Sequence, residues 1–172
     1  MKKHIVSIIA VCNKSKIAKY QYTGENLYIF SAWSVYRLGK DEIGENELRE
    51  KGFTGFYSNG MTSDYEQMKS NDPRLLKKPL ECVHIPKKEI SERRTYITGK
   101  KYIGIDFSLL KPFEKRIASI YAPRMNTGKA PCMCFDENGE FLCAVMPYMV
   151  NQDECKKRFG DGITYLHGKE SA

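Results

Sequence analysis

The chain has 172 residues and a net charge of +7, with 41% apolar and 28% charged residues. That balance marks an ordinary globular protein, long enough to bury a core without a metal or disulfide staple. No apolar run approaches the eighteen or so residues that a membrane-spanning helix needs.

Near the start, Ile5, Ile8, Ile9 and Cys12 recur at i, i+3, i+4 and i+7. This spacing predicts an amphipathic helix over residues 3–16 that faces the core. The same stretch superficially resembles an export signal, but its apolar run is short and ends in Asn13-Lys14-Ser15-Lys16, so it reads as part of a cytoplasmic protein. Residues 19–22 and 27–30 flank the turn Thr23-Gly24-Glu25-Asn26 and predict a first hairpin. The segment 31–38 carries the only tryptophan, Trp33. A helix is expected over residues 41–51, weakened by about 1 kcal/mol at Gly44.

Residues 53–78 show no clear period, with breakers at Asn59-Gly60 and Asn71-Asp72-Pro73 and room for a short helix over residues 63–69. Strands resume at residues 80–85, then at 95–98 and 102–107 around Gly99-Lys100-Lys101, where Ile103, Ile105 and Phe107 share a face. A helical turn over residues 108–116, interrupted by Pro112, precedes a short strand at 117–121. The clearest hairpin joins residues 133–135 to 141–145 across Asp136-Glu137-Asn138-Gly139. Asn-Gly favours a two-residue type I′ loop, which would set Glu137 against Glu140 and Cys134 against Cys143. A short helix over residues 151–159 follows. The expected organisation is one α+β domain over residues 1–150, with a polar tail, 151–172, that belongs to it. It has an N-terminal amphipathic helix and a mostly antiparallel sheet with two clear hairpins.

Charge is concentrated between residues 74 and 101. Arg74, Lys77, Lys78, Lys87, Lys88, Arg93, Arg94, Lys100 and Lys101 stand there against Glu81, Glu89 and Glu92, an excess of +6. Tyr96 and Tyr102 lie among them, as rings that stack bases beside phosphate-binding cations would. The stretch is a candidate interface for nucleic acid or an acidic protein, and it reads equally as a solubilising surface.

Six cysteines invite other chemistry. The late hairpin places Cys132, Cys134 and Cys143 on one face, where they form buried core, a redox pair, or three zinc ligands with His84 as fourth. Buried core is favoured, because the C-x-C spacing is not that of a standard zinc site and free cysteines are commonly buried. His4, His84 and His167 have no acid or nucleophile at motif spacing, and the glycines of residues 52–60 lack the lysine and hydroxyl of a phosphate loop. No cofactor or catalytic site is expected.

Two stretches carry a resemblance. The first helix, the hairpin after it and Ala32-Trp33-Ser34-Val35-Tyr36-Arg37-Leu38 resemble the opening of a bacterial DNA sliding-clamp domain. Residues 129–135, the Asp136–Gly139 turn and Ala144-Val145-Met146-Pro147-Tyr148-Met149 resemble its end. The family's Asp and Gly are replaced by Ser34 and Val35, and its Arg by Met149. The resemblance implies a DNA-clamp-like α+β fold but not a processivity ring, since the chain has room for about one such domain.

Small proteins of this look resemble products of phages and mobile elements of Gram-positive bacteria. By that analogy the expected function is non-enzymatic: inhibition or modulation of a nucleic-acid-handling effector, of the anti-CRISPR type. The alternative is a DNA- or RNA-binding accessory factor that uses the basic region. A protein partner is expected, a membrane is not, and exposed strand edges open a route to homo-oligomers.

Overall fold

A computed structural model describes residues 1–56, 61–83, 92–99, 101–124, 130–160, 164–166 and 169–170. It is a mixed α+β fold. A seven-stranded sheet has the order β4 (Thr54–Gly55), β1 (Lys19–Thr23), β2 (Asn26–Phe30), β3 (Ser34–Gly39), β10 (Phe141–Val145), β9 (Cys132–Phe135) and β8 (Ser119–Tyr121). A second sheet has the antiparallel body β5 (Glu81–Val83), β6 (Arg93–Thr98) and β7 (Lys101–Asp106), extended by β11 (Thr164–Leu166) and β12 (Lys169–Glu170). No helix among the described residues is long and apolar enough to cross a membrane.

Helix α1 (Lys3–Ser15) forms where the apolar spacing puts it. Ile5, Ile8 and Cys12 are fully buried, and Lys16 ends the helix in the left-handed conformation at φ +59°. Strands β1 (Lys19–Thr23) and β2 (Asn26–Phe30) pair with Thr23 opposite Asn26, so their loop is Gly24-Glu25, with Gly24 at φ +53°. Strand β3 (Ser34–Gly39) continues the meander.

Helix α2 is shorter than the sequence predicts, Glu45–Glu50. Gly44 is its N-cap, so the weak helix former stands before the helix, where glycine is tolerated. The irregular stretch contains β4 (Thr54–Gly55), parallel to β1, and α3 (Met61–Gln67). Asn59-Gly60 lies outside the described residues.

Alternation in the central strands gives the seven-stranded sheet two apolar faces. Leu27, Ile29, Tyr36, Leu38, Cys132, Cys134 and Val145 face α1 and the second sheet, which contributes Cys82, Tyr96, Ile103 and Ile105. The opposite face, with Tyr28, Phe30, Phe135 and Phe141, is covered by Tyr65 and Met68 from α3 and its end. The Tyr65 ring stacks on Phe141 at 4.9 Å and 9°. Glu66 holds α3 to the first hairpin by accepting from Thr23 Oγ1 (2.8 Å) and Asn26 Nδ2 (2.9 Å).

Strands β5 (Glu81–Val83), β6 (Arg93–Thr98) and β7 (Lys101–Asp106) precede α4 (Phe107–Leu110), a 3-10 turn at Lys111–Phe113 and β8 (Ser119–Tyr121). Ile103 and Ile105 share the core face as expected, whereas Phe107 has left the strand and begins α4, capped by Asp106. The outer margin of β8 is bonded by the preceding segment, with Leu76 N donating to Ala122 O (3.0 Å) and Leu80 N to Ile120 O (2.6 Å). The outer margin of β7 is bonded by Tyr148, which exchanges backbone hydrogen bonds with Gly104 (2.9 and 3.2 Å). Gln152, the first residue of α5 (Gln152–Phe159), does the same with its side chain at Tyr102 N and O, both at 2.8 Å.

The late hairpin, β9 (Cys132–Phe135) and β10 (Phe141–Val145), reaches the expected pairing by an unexpected route. Asp136 N donates to Glu140 O and Gly139 N to Asp136 O, both at 3.0 Å, so the loop is Glu137-Asn138-Gly139 and not Asn138-Gly139 alone. Gly139 is at φ +76°, while Asn138 stays out of the positive region. This loop is the type I turn followed by a left-handed residue that suits a three-residue connection. It puts Asp136, not Glu137, against Glu140 and moves the register by one residue. A bulge between Phe141 and Cys143 moves it back, and Cys143 faces Cys134 after all.

Candidate functional site

The second sheet distributes the basic residues widely. Arg93 and Arg94 are neighbours on β6 and therefore project to opposite faces. Arg93 is paired across the strands with Asp106, and its guanidinium lies 5.4 Å from the Tyr148 ring. The Arg94 guanidinium lies 3.5 Å over the Phe107 ring. Lys101 stands at the other end of the hairpin, opposite Thr98. Arg74 belongs to a different region, where its guanidinium is forked on Asp72 (2.8 Å) with Asp64 at 3.8 Å. Lys77 and Lys78 are exposed just before β5. Lys87, Lys88 and Lys100 lie outside the described residues.

The tyrosines correct the sequence reading. Tyr96 is 2% exposed and Tyr102 5% exposed, on opposite faces of the sheet. Tyr96 joins the main core, and Tyr102 packs with Val83 and Cys155 beneath α5. Neither ring has a face free for a base. Sequence could not tell a tyrosine that stacks from one that fills a core, since both roles use a ring on a strand.

The thiol face exists as the hairpin predicts. Cys132, Cys134 and Cys143 are fully buried, and all six cysteines are free. A hydrogen bond with Cys143, and then burial, hold the Cys134 thiol well above its ordinary pKa. Burial pushes Cys12 and Cys132 up to about 12 and Cys82 to about 11. Such thiols stay protonated at neutral pH, and the thiolate is the form that attacks or binds metal. Among the described residues, no three His, Cys, Asp or Glu side chains are grouped to hold a metal ion, and His84 lies outside them. His167 does too, and the carboxylate of Glu45 is engaged by Tyr20 (2.7 Å) and Arg49 (3.0 Å).

A surface that the sequence reading passed over lies where α1 ends. The loop between β2 and β3 is fixed by its backbone. Ser31 N donates to Ser34 O (2.9 Å), Ala32 N to Ser15 Oγ (3.2 Å), and Met146 N to Trp33 O (2.8 Å). On this rigid loop Trp33 is 50% exposed, and Ile17, beside Ser15, is 41% exposed. Ile17 also lines a shallow recess of about 490 Å³ at the end of α1, together with Asn13, Lys16, Lys19, Lys51 and Thr54. Helix, loop and strand start bring three lysines and two large apolar side chains to one end of the molecule. The only available sequence signal was a lone tryptophan between two short strands.

No family model, curated protein or solved structure matches the chain.

Proposed function

We propose that this protein acts by binding another protein, as an inhibitor or modulator of a nucleic-acid-handling effector of the anti-CRISPR type. The observation that carries this reading is Trp33, half exposed on a loop held by hydrogen bonds. Tryptophan is enriched at interface hot spots, and Ile17 is a second exposed apolar side chain at the same end of α1. Burying about 100 Å² more of its ring would contribute about 2.5 kcal/mol, the scale of a hot-spot residue. Since the loop is already ordered, little conformational entropy is lost on docking.

The lysines of the recess at the end of α1 define the partner's chemistry. Lys16, Lys19 and Lys51 favour an acidic face on the effector and oppose entry into its basic nucleic-acid channel. The mode would be attachment beside the working cleft, not mimicry of DNA. The clamp-like reading of the fold supports the same proposal: the two stretches that carry the resemblance meet on β3 and β10, which pair with Ala144 opposite Val35. The nucleic-acid alternative, placed on residues 74–101, loses its stacking rings to the core.

The test is a plaque assay in bacteria that express a CRISPR effector directed at a phage. The wild-type chain restores plaques, whereas Trp33→Ala and Lys16→Glu/Lys51→Glu do not, although both stay folded. Equal plaque numbers with and without the wild-type chain, across effector types, refute the inhibitor reading.

A further inference from the structure

A second basic recess lies at the opposite end of α1, unrelated to the Trp33 surface. It has a volume of about 310 Å³ and is lined by Lys3, His4, Ser7, Lys111, Lys115 and Arg116, with Pro112 and Phe113 as its floor. Phe113 is the anchor: it is 1% exposed, and its ring lies 5.9 Å from both the His4 and Tyr36 rings. Arg116 N and Ile117 N donate to Phe113 O at 2.8 and 3.0 Å, so the chain keeps turning helically past the 3-10 segment. Lys111 and Lys115, at the two ends of those turns, both line the recess. The Arg116 guanidinium lies 5.2 Å from the Phe113 ring.

Several of the molecule's cations are held by carboxylates, and among the described residues those of this recess are not. Lys2, Lys14, Lys40, Arg49, Lys69 and Arg74 each sit within ion-pair distance of an acid. Among the described residues, Lys3, Lys111, Lys115 and Arg116 do not, and Glu114 is the single acidic residue in the recess. The nearby Glu42 is already occupied: its carboxylate takes His4 Nε2 (2.9 Å), Lys2 Nζ (3.3 Å) and Gly39 N (2.8 Å). The first turn of α1 adds to the positive potential, since it contains no acidic residue and no side chain caps it.

We propose that this recess binds phosphate groups, either of a compact polyphosphate or of a nucleic-acid strand. Four cations around a cavity of this size match a ligand with several charges in a short span, and arginine and lysine are the usual phosphate donors. Lys111, Lys115 and Arg116 would clamp the phosphates, Ser7 and His4 would add hydrogen bonds, and Glu42 would hold the His4 ring in place.

The test uses the full chain, a labelled single-stranded oligonucleotide read by anisotropy, and inorganic triphosphate and polyglutamate as competitors. Lys111→Glu/Lys115→Glu should weaken binding about tenfold or more, and Arg93→Glu/Lys101→Glu on the second sheet should leave it within about twofold. Ser7→Glu, which places a negative charge in the recess from another element, should weaken it as well. Thermal melting of each variant confirms that it is folded. Full competition by triphosphate identifies a compact phosphate ligand. Affinity that grows with oligonucleotide length, with a salt slope of about −0.7 per phosphate contacted, identifies a strand. Equal competition by polyglutamate, no binding at all, or affinity unchanged in both recess variants would overturn the proposal.

Discussion

The three-residue turn of the late hairpin makes a prediction that separates it from the two-residue loop favoured by the Asn-Gly pair. At Gly139, φ is +76° and an added Cβ would lie 2.6 Å from Ser70 Oγ. The left-handed conformation costs an alanine about 1–2 kcal/mol. Moving Ser70 also weakens its N–H bond to Gly139 O (3.1 Å), worth about 1 kcal/mol. Gly139→Ala should therefore destabilise the protein by about 2–3 kcal/mol. Asn138→Ala should change stability by less than about 0.5 kcal/mol, because Asn138 needs no positive φ here. In a type I′ loop both positions need it, and both substitutions would be costly. Ser70→Ala in the Gly139→Ala background should recover about 1 kcal/mol, since the next nearest Ser70 side-chain atom is 3.6 Å away. Urea unfolding with an unchanged m-value measures all three. An Asn138→Ala penalty equal to that of Gly139→Ala would refute the turn and, with it, the compensating bulge.

Burial acts to raise the Glu42 pKa, but the bonds from Gly39 N, His4 and Lys2 outweigh it, and the net shift is downward. A depressed folded pKa gives stability that is present above the unfolded value, about 4.3, and is lost as pH falls through the folded one. Glu42→Gln should flatten that acid limb of the stability curve and lower stability at neutral pH; parallel curves from pH 7 to 3 would contradict it. In a thiol-reagent assay the native protein should react very slowly at all six buried cysteines, with full reaction after unfolding. A fast native thiol at Cys132, Cys134 or Cys143 would show that the thiol face opens. Trp33→Ala should leave the unfolding free energy within about 0.5 kcal/mol of wild type while abolishing inhibition, which separates a docking residue from a core one.

The parts of this fold that rest on local periodicity were legible. Helix α1 follows from Ile5, Ile8 and Cys12, and the first hairpin from its Gly24 turn. The facing of Cys134 and Cys143 was legible for a reason that does not hold, because a longer loop and a bulge cancel. What depends on distant partners was not legible. The residues of α3 show no marked stripe of their own, yet Tyr65 and Met68 complete the second face of the main sheet. The run of charge between residues 74 and 101 looked like a patch because sequence is one-dimensional. Pleating sends Arg93 and Arg94 apart, and Asp72 claims Arg74. Lys3 and Lys115, by contrast, are over a hundred positions apart and meet only because Phe113 packs under His4.

The margins of β7 and β8 carry a consequence for how the molecule behaves in company. Backbone groups at the rim of a sheet are an open template for another chain, and proteins blunt them. Here the molecule supplies its own last rungs: Gln152 and Tyr148 on one sheet, Leu76 and Leu80 on the other. Two routes to ladder-like polymerisation are thereby closed from within. Among the described residues, a second copy seeking a strand to extend is left with the short outer rims of β4 and β12, or must rely on side chains.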